Sequence, residues 1–222
     1  MINRVLFYNS GGGIGDAIQI LPLISSLKLE FKNTKFFYLC SHNNHFNSTL
    51  RDLNCPIETL NLNISYFGFR WWHILVTKYK IKKYKIEKFD LIIDLQSKIR
   101  NTFILKMIPH KFFISPCLNY GLSKPFLKIK KNRNFNFDIV LGINKILNTN
   151  CKLVDYDTKI INEKFEKEAQ RLLPNKNYVG LSITQGNIYR KKEWPINNII
   201  NLCKKIKDKN KTIFFFIEKK NT

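Results

Sequence analysis

The chain has 222 residues, 44% hydrophobic and 14% aromatic, with a formal net charge of +22. That length allows one large domain or a domain and a half, with enough apolar content for a real core. No run of about 18 uninterrupted apolar residues occurs, which excludes a spanning helix of the usual kind. The five cysteines (Cys40, Cys55, Cys117, Cys151, Cys203) are odd in number and lack a C-x-x-C, which excludes a zinc-ribbon pattern and points to a reducing cytoplasm.

The charge is uneven. Residues 1–75 carry 6 basic and 4 acidic residues, residues 76–150 carry 16 and 4, and residues 151–222 carry 16 and 8. The middle third therefore holds +12 of the total and favours an anionic partner. Lys outnumbers Arg 31 to 7 beside abundant Asn, Ile and Phe, so A/T-rich codons also contribute to the excess.

In chain order, Arg4–Asn9 reads as a buried strand that enters the glycine-dense turn Gly11-Gly12-Gly13-Ile14-Gly15-Asp16. A strand, such a turn and a helix together present backbone N–H groups and one side chain at the carboxyl edge of an α/β sheet. Asp16 is expected at or near a helix N-cap, where its carboxylate stays ionised. It is thus a candidate general base, and equally an ordinary cap. The glycines do not fit G-x-G-x-x-G, and no Gly-Lys-Ser/Thr follows, so neither a dinucleotide fingerprint nor a P-loop is present.

Residues Asp16–Phe31 read as a helix that Pro22 kinks or delays. Thr34–Ser41 is a second strand, Asn43–Leu53 a short helix and Ile57–Leu62 a third strand. His42-x-x-His45 lacks a second ligand pair and reads as loop. Tyr66–Ile86 alternates aromatic and cationic residues, as a helix facing solvent or lipid headgroups does. Phe89–Leu95 is a buried strand, Ser97–Met107 a helix, Lys111–Ser115 a strand and Leu118–Asn136 a basic loop. Phe137–Leu147 and Glu163–Leu173 are helical. The alternation implies a parallel sheet with helical crossovers.

After Pro174 the pattern restarts. Tyr178–Ile183 is a strand, Trp194-Pro195 opens a helix with Pro at its first position, and Thr212–Ile217 is a strand. The expected domains are therefore residues 1–173 and an incomplete α/β domain over 174–222. Two strands and one helix cannot cover both faces of a sheet, so Phe214, Phe215, Phe216 and Ile217 are expected to be partly uncovered or packed on the first domain.

Three segments, in this order, resemble glycosyltransferase family 9, the ADP-heptose:lipopolysaccharide heptosyltransferases. They are Gly15-Asp16 followed by Leu21-Pro22 and Leu27-Lys28, then Phe89-Asp90-Leu91-Ile92-Ile93-Asp94-Leu95-Gln96-Ser97, then Thr184-Gln185-Gly186 with Lys192-Glu193-Trp194-Pro195. The third departs from the family's Pro-Gly-Ala, its glycine shifted by one place. The family's later Asp-Ser-Gly…His donor loop does not occur within the 222 residues. The resemblance is thus to a fragment, a degenerate member or a chain that works with another.

It implies a glycosyltransferase B fold, with an acceptor-side Rossmann-like domain and the beginning of a nucleotide-sugar-binding domain. It implies Asp16 as general base of an inverting transfer. Lys192, Gly186 and Thr184 become donor phosphate contacts, Gly12, Gly13 and Gly15 the glycine loop, and Arg70, Arg100 and Gln96 acceptor contacts. A nucleotide-diphosphate sugar is the implied substrate, with no cofactor or metal. An anionic glycolipid is the implied acceptor, reached by peripheral contact with the cytoplasmic face of the inner membrane. Two other readings stay open. One is a non-catalytic relative. The other is a nucleic-acid-binding module that uses Trp71, Trp72, Tyr79 and Tyr84 beside lysines, for which no recognised motif is present.

Overall fold

The structure is a computed structural model that describes residues 2–9, 14–39, 45–48, 50–53, 57–64, 69–130, 134–156, 161–174, 177–182 and 194–216. The chain divides into two compact units, Met1–Asn162 and Glu163–Thr222.

In the first unit, β1 (Arg4–Tyr8), β2 (Lys35–Leu39), β3 (Glu58–Thr59), β4 (Phe89–Asp94) and β5 (His110–Ile114) form one sheet in the order β3-β2-β1-β4-β5. Every pairing is parallel. Parallel neighbours need crossovers, supplied here by α1 (Ile14–Ile18) with α2 (Leu21–Glu30), by α3 (His73–Lys83) and by α4 (Ile99–Leu105). A longer helix, α5 (Phe135–Leu147), follows β5.

The strands read as continuous apolar runs because both faces of the sheet are covered. Val5, Phe7, Phe36 and Tyr38 pack with Leu23, Ile24 and Leu27 of α2 and with Ile139, Val140 and Ile143 of α5. Leu6, Tyr8, Phe37, Leu39, Ile92 and Phe113 form a second cluster with Ile104 and Leu105 of α4, against which Ile74 and Ile81 of α3 pack. Each fully buried side chain of this size contributes about 1.5–3 kcal/mol. At the amino edge, Asp90 accepts the N–H groups of Asn3 and Arg4 at 2.7 and 3.1 Å, tying β1 to β4.

Several expectations are corrected. The helix expected over Asp16–Phe31 is two helices. Pro22 occupies the first turn of α2, where its missing N–H costs nothing, and so α2 starts afresh at Leu21. Asp16 itself lies in the first turn of α1, near the N-cap as the sequence suggests. The described part of Asn43–Leu53 holds one 3-10 turn, His45–Asn47, and the strand expected over Ile57–Leu62 shrinks to β3 at the sheet edge. Helix α5 begins at Phe135 rather than Phe137, because Asn134 caps it by accepting the Phe137 N–H at 3.2 Å.

The second unit contains α6 (Glu163–Leu172), β6 (Tyr178–Ser182), α7 (Ile196–Lys207) and β7 (Thr212–Phe216). The helix read from sequence as the end of the first domain, α6, therefore groups with the second unit. Strands β6 and β7 are a parallel pair. Pro195 is the N-cap of α7 rather than its first helical residue. No described residue of these four elements is buried. Phe214 is half-buried, and Phe215 and Phe216 are exposed. Ile217 lies outside the described residues.

Candidate functional site

Strand order reverses at β1, whose two neighbours are β2 and β4. In open α/β sheets the crevice beyond the carboxyl ends at such a switch point is where ligands bind. A cleft of about 470 Å³ lies there, entirely within the first unit. Its floor is Asn9, Leu95 and Gln96 from the ends of β1 and β4. Asp16, Gln19, Ile20 and Pro22 form one wall. Asn134, Phe135 and Asn136, at the start of α5, and residues 153–156 complete it.

A polar chain fixes the floor. The Gln96 side-chain amide donates to Asn9 Oδ1 at 2.6 Å, and Asn9 Nδ2 donates to the Asp16 carbonyl at 3.3 Å. The backbone of α1 is thus tied to β4 across β1, while the exposed Asp16 carboxylate is held on the crevice wall. The Gln96 N–H donates to Asp94 Oδ1 at 2.9 Å. Asp94 is fully buried, and its other oxygen accepts from Thr102 Oγ1 at 2.6 Å and Ser115 Oγ at 2.8 Å. Burial pushes its pKa up to about 7, against the opposing pull of these donors.

The far wall is built from two clamps. Asn144 donates to the Cys151 carbonyl and accepts the Cys151 N–H, both at 2.8–2.9 Å. Ser26 Oγ accepts the Val154 N–H at 2.9 Å. These bonds lead the chain after α5 back over α2 and place Asp155 and Tyr156 in the cleft. Cys151, enclosed by the same clamps, has its thiol pushed up to about 11, first by burial and then by Glu30, so it is a packing residue. Asn136 Nδ2 donates to the Gln19 carbonyl at 2.8 Å, which joins the N-terminus of α5 to the α1 wall. The positive end of the α5 dipole faces the same cleft as Asp16 and Asp155.

The structure thus brings Asp16 and Gln96 together. Gly15 is the second residue of α1, a helical position rather than a turn, and a Cβ placed there would meet nothing within 4 Å among the described residues. Arg70 and Arg100 are not in this cleft. They stand near His73 at the α3–α4 helix pair. The His73 ring Nδ1 accepts the Arg70 N–H at 3.0 Å, and burial, then Arg100, then Arg70 hold its pKa below the ordinary value. Among the described residues, Arg100 Nε and both amide atoms of the fully buried Asn101 have no hydrogen-bond partner. Gly12, Gly13, Thr184, Gly186 and Lys192 lie outside the described residues. Sequence reasoning missed Asn9, Asn134, Asn136 and Asp155. Asn9 carried a signal, a polar residue closing an all-apolar strand; the other three depend on how the chain after β5 returns.

No family model and no curated relative matches the sequence. Solved structures do. The E. coli heptosyltransferase WaaC with ADP is similar over 97% of this chain and 67% of its own, at TM-score 0.62 and 15% identity. A glycosyl transferase family 9 structure from Veillonella parvula is similar over 96% and 62%, at TM-score 0.59 and 15% identity. E. coli ADP-heptose lps heptosyltransferase II is similar over 98% and 65%, at TM-score 0.56 and 13% identity. The chain thus spans roughly two thirds of the length of these structures. The likeness establishes the fold, which is α/β of the glycosyltransferase B type with a parallel five-stranded sheet. Among the described residues no helix is long and apolar enough to cross a membrane.

Proposed function

We propose that the chain belongs to an inverting glycosyltransferase that moves a heptose or similar sugar from a nucleotide-diphosphate donor to a lipopolysaccharide-type acceptor. The observation that carries this reading is Asp16 on the switch-point cleft, tied by its own backbone to Asn9 and Gln96. The solved neighbours with ADP and with ADP-2-deoxy-2-fluoro heptose support a nucleotide-sugar donor.

In this reading an Asp16 carboxylate oxygen takes the proton of an acceptor hydroxyl. The acceptor's oxygen, not the carboxylate's, bonds to the anomeric carbon as the bond from this carbon to the diphosphate oxygen breaks on the opposite face, which inverts the configuration. Lys192, with the loop of Thr184 and Gly186, is assigned to the departing diphosphate, where a cation offsets the growing charge. That assignment rests on the resemblance in sequence. Arg70 and Arg100 lie outside the cleft that holds Asp16, so they contact the acceptor only if its anionic groups extend to the α3–α4 pair.

The test is nucleotide release from ADP-heptose in the presence of a lipopolysaccharide-type acceptor, with Asp16→Asn and Asp155→Asn compared. Asp16→Asn is expected to cut turnover by at least about 100-fold while leaving nucleotide binding unchanged, and Asp155→Asn by less than about tenfold. The reverse order makes Asp155 the base. A chain that binds the nucleotide sugar and never releases its nucleotide is the non-catalytic relative.

A further inference from the structure

Helix α3 is apolar on two opposite sides. His73 and Thr77 are buried, and Ile74 and Ile81 pack on the inner cluster. At 100° per residue the side turned away from these carries Trp72, Leu75 and Tyr79 as one stripe, with Trp71 beside its start. They are 57%, 74%, 62% and 55% exposed in that order. A helix that meets only water on its outer side carries polar residues there. Here large apolar side chains hold the middle of that side, and the exposed Lys78, Lys82 and Lys83 flank them.

The charge along the helix has one sign, and the first carboxylate beyond it, Glu87, is paired with Arg4 at 2.7 Å. From Phe69 to Ile86 the chain has six cations and no carboxylate. The same face of the sheet continues basic beyond the helix. Lys106 Nζ lies 5.7 Å from the centre of the Phe113 ring, and Lys124 pairs with Phe113 through its backbone. Lys124, Lys106 and Lys88 all act on the nearby His110.

We propose that this side of α3 docks on an anionic lipid surface, with Trp71, Trp72, Leu75 and Tyr79 in the headgroup layer and the lysines over lipid phosphate. Two features choose this occupant. The exposed cations stand on both flanks of the stripe, Lys78 and Lys82 on one side and Lys83 on the other, a spread that suits a diffuse surface potential better than a single bidentate site. The most exposed member of the stripe is the aliphatic Leu75, which offers a base nothing to stack on but enters the acyl boundary. This deepens the proposed function by naming the surface from which a glycolipid acceptor is presented, yet it needs no sugar transfer to hold.

The experiment is sedimentation of the whole chain with phosphatidylglycerol-containing vesicles and with pure phosphatidylcholine vesicles, without donor or acceptor. Binding at least about tenfold tighter to the anionic vesicles, weakening as salt rises, is expected. Leu75→Ser/Tyr79→Ser and Lys82→Gln/Lys83→Gln are each expected to lose about tenfold or more at unchanged circular dichroism. In a Trp194→Phe background, brominated anionic lipid is expected to quench Trp71 and Trp72, a readout independent of how the variants fold. Equal binding to both vesicle types, unquenched tryptophans, or displacement from vesicles by single-stranded nucleic acid at equal concentration overturns the proposal. Failure here leaves the Asp16 test standing, and failure of that test leaves this one standing.

Discussion

The two units start from the same ingredients and end differently. Each has parallel apolar strands joined by an amphipathic helix. In Met1–Asn162 five strands lie between α2 with α5 on one side and α3 with α4 on the other, and side chains such as Leu6, Phe7, Ile92 and Phe113 have no exposure at all. In Glu163–Thr222 the pair β6–β7 and helices α6 and α7 leave every described residue of these elements at least partly open. Burial is thus a property of the assembled layers, not of any strand's own hydrophobicity. Phe214–Phe216 is as apolar as Val5–Phe7.

The sharpest way to break this comparison is to remove one aromatic ring from each unit. Phe113→Ala is expected to cost the first unit about 3–5 kcal/mol, because a fully enclosed ring leaves a cavity. Phe216→Ala is expected to change stability by no more than about 0.5 kcal/mol, as surface substitutions do. Urea unfolding followed by hydrogen exchange in each unit reads both. Equal losses would mean that the second unit has a closed core after all.

A second contrast is between carboxylates. Asp94 in the first unit is pushed up to about 7 by burial, whereas the exposed Glu168 in the second is held below its usual value by its two bonds to Arg171, at 2.8 and 2.7 Å. The signs therefore differ. The raised Asp94 contributes stability that is complete below its unfolded value near 3.8 and is lost as pH rises through about 7. The lowered Glu168 contributes above its unfolded value and loses that contribution as pH falls, weakly because solvent screens it. Asp94→Asn mimics the protonated form, and the Thr102 and Ser115 hydroxyls can turn to accept its amide. It is expected to match wild type near pH 3 and to exceed it by on the order of 2–4 kcal/mol at pH 8. A difference independent of pH would show that Asp94 is not the titrating group.

How much was legible follows the same division. Strands β1, β2, β4 and β5 and helix α4 were readable because a covered parallel sheet demands uninterrupted apolar runs. Pro22 signalled the break between α1 and α2, but a kink and a restart look alike in sequence. The edge strand β3 was overread, since an edge needs few residues and six apolar-rich positions fit many conformations. In the site, Asp16 and Gln96 sat beside glycines and a strand end. Asp155 reaches the cleft only through the Asn144 and Ser26 clamps, whose partners are distant or invisible to periodicity. The buried bonds of Asp94 to Thr102 and Ser115 were likewise hidden, because nothing in FDLIID marks which carboxylate turns inward.

The smallest effect is expected at Gly180, and it tests whether the second unit yields where the first would not. Phe214 and Phe216 point to one face of β7 and meet edge-on at 4.9 Å, over the β6 backbone at Gly180. A Cβ on Gly180 would stand 2.7 Å from Phe214 Cζ and 2.9 Å from Phe216 Cε2. In a closed core a clash of that size costs about 1–3 kcal/mol. Here the atoms that collide are ring tips, Phe216 is exposed, and both rings can swing toward water. Against this, removing a strand glycine recovers about 0.5–1 kcal/mol of backbone entropy. The two terms nearly cancel, so Gly180→Ala is expected to shift the protection of the β6–β7 amides by less than about 1 kcal/mol. At Gly142 of α5, by contrast, a Cβ would come 3.1 Å from Ile129 Cδ1 inside the first unit's core. There the neighbour has no water to move into. If Gly180→Ala destabilises its strand pair more than Gly142→Ala destabilises α5, the rings over Gly180 are held in place and the open face of the second unit is better packed than its exposure implies.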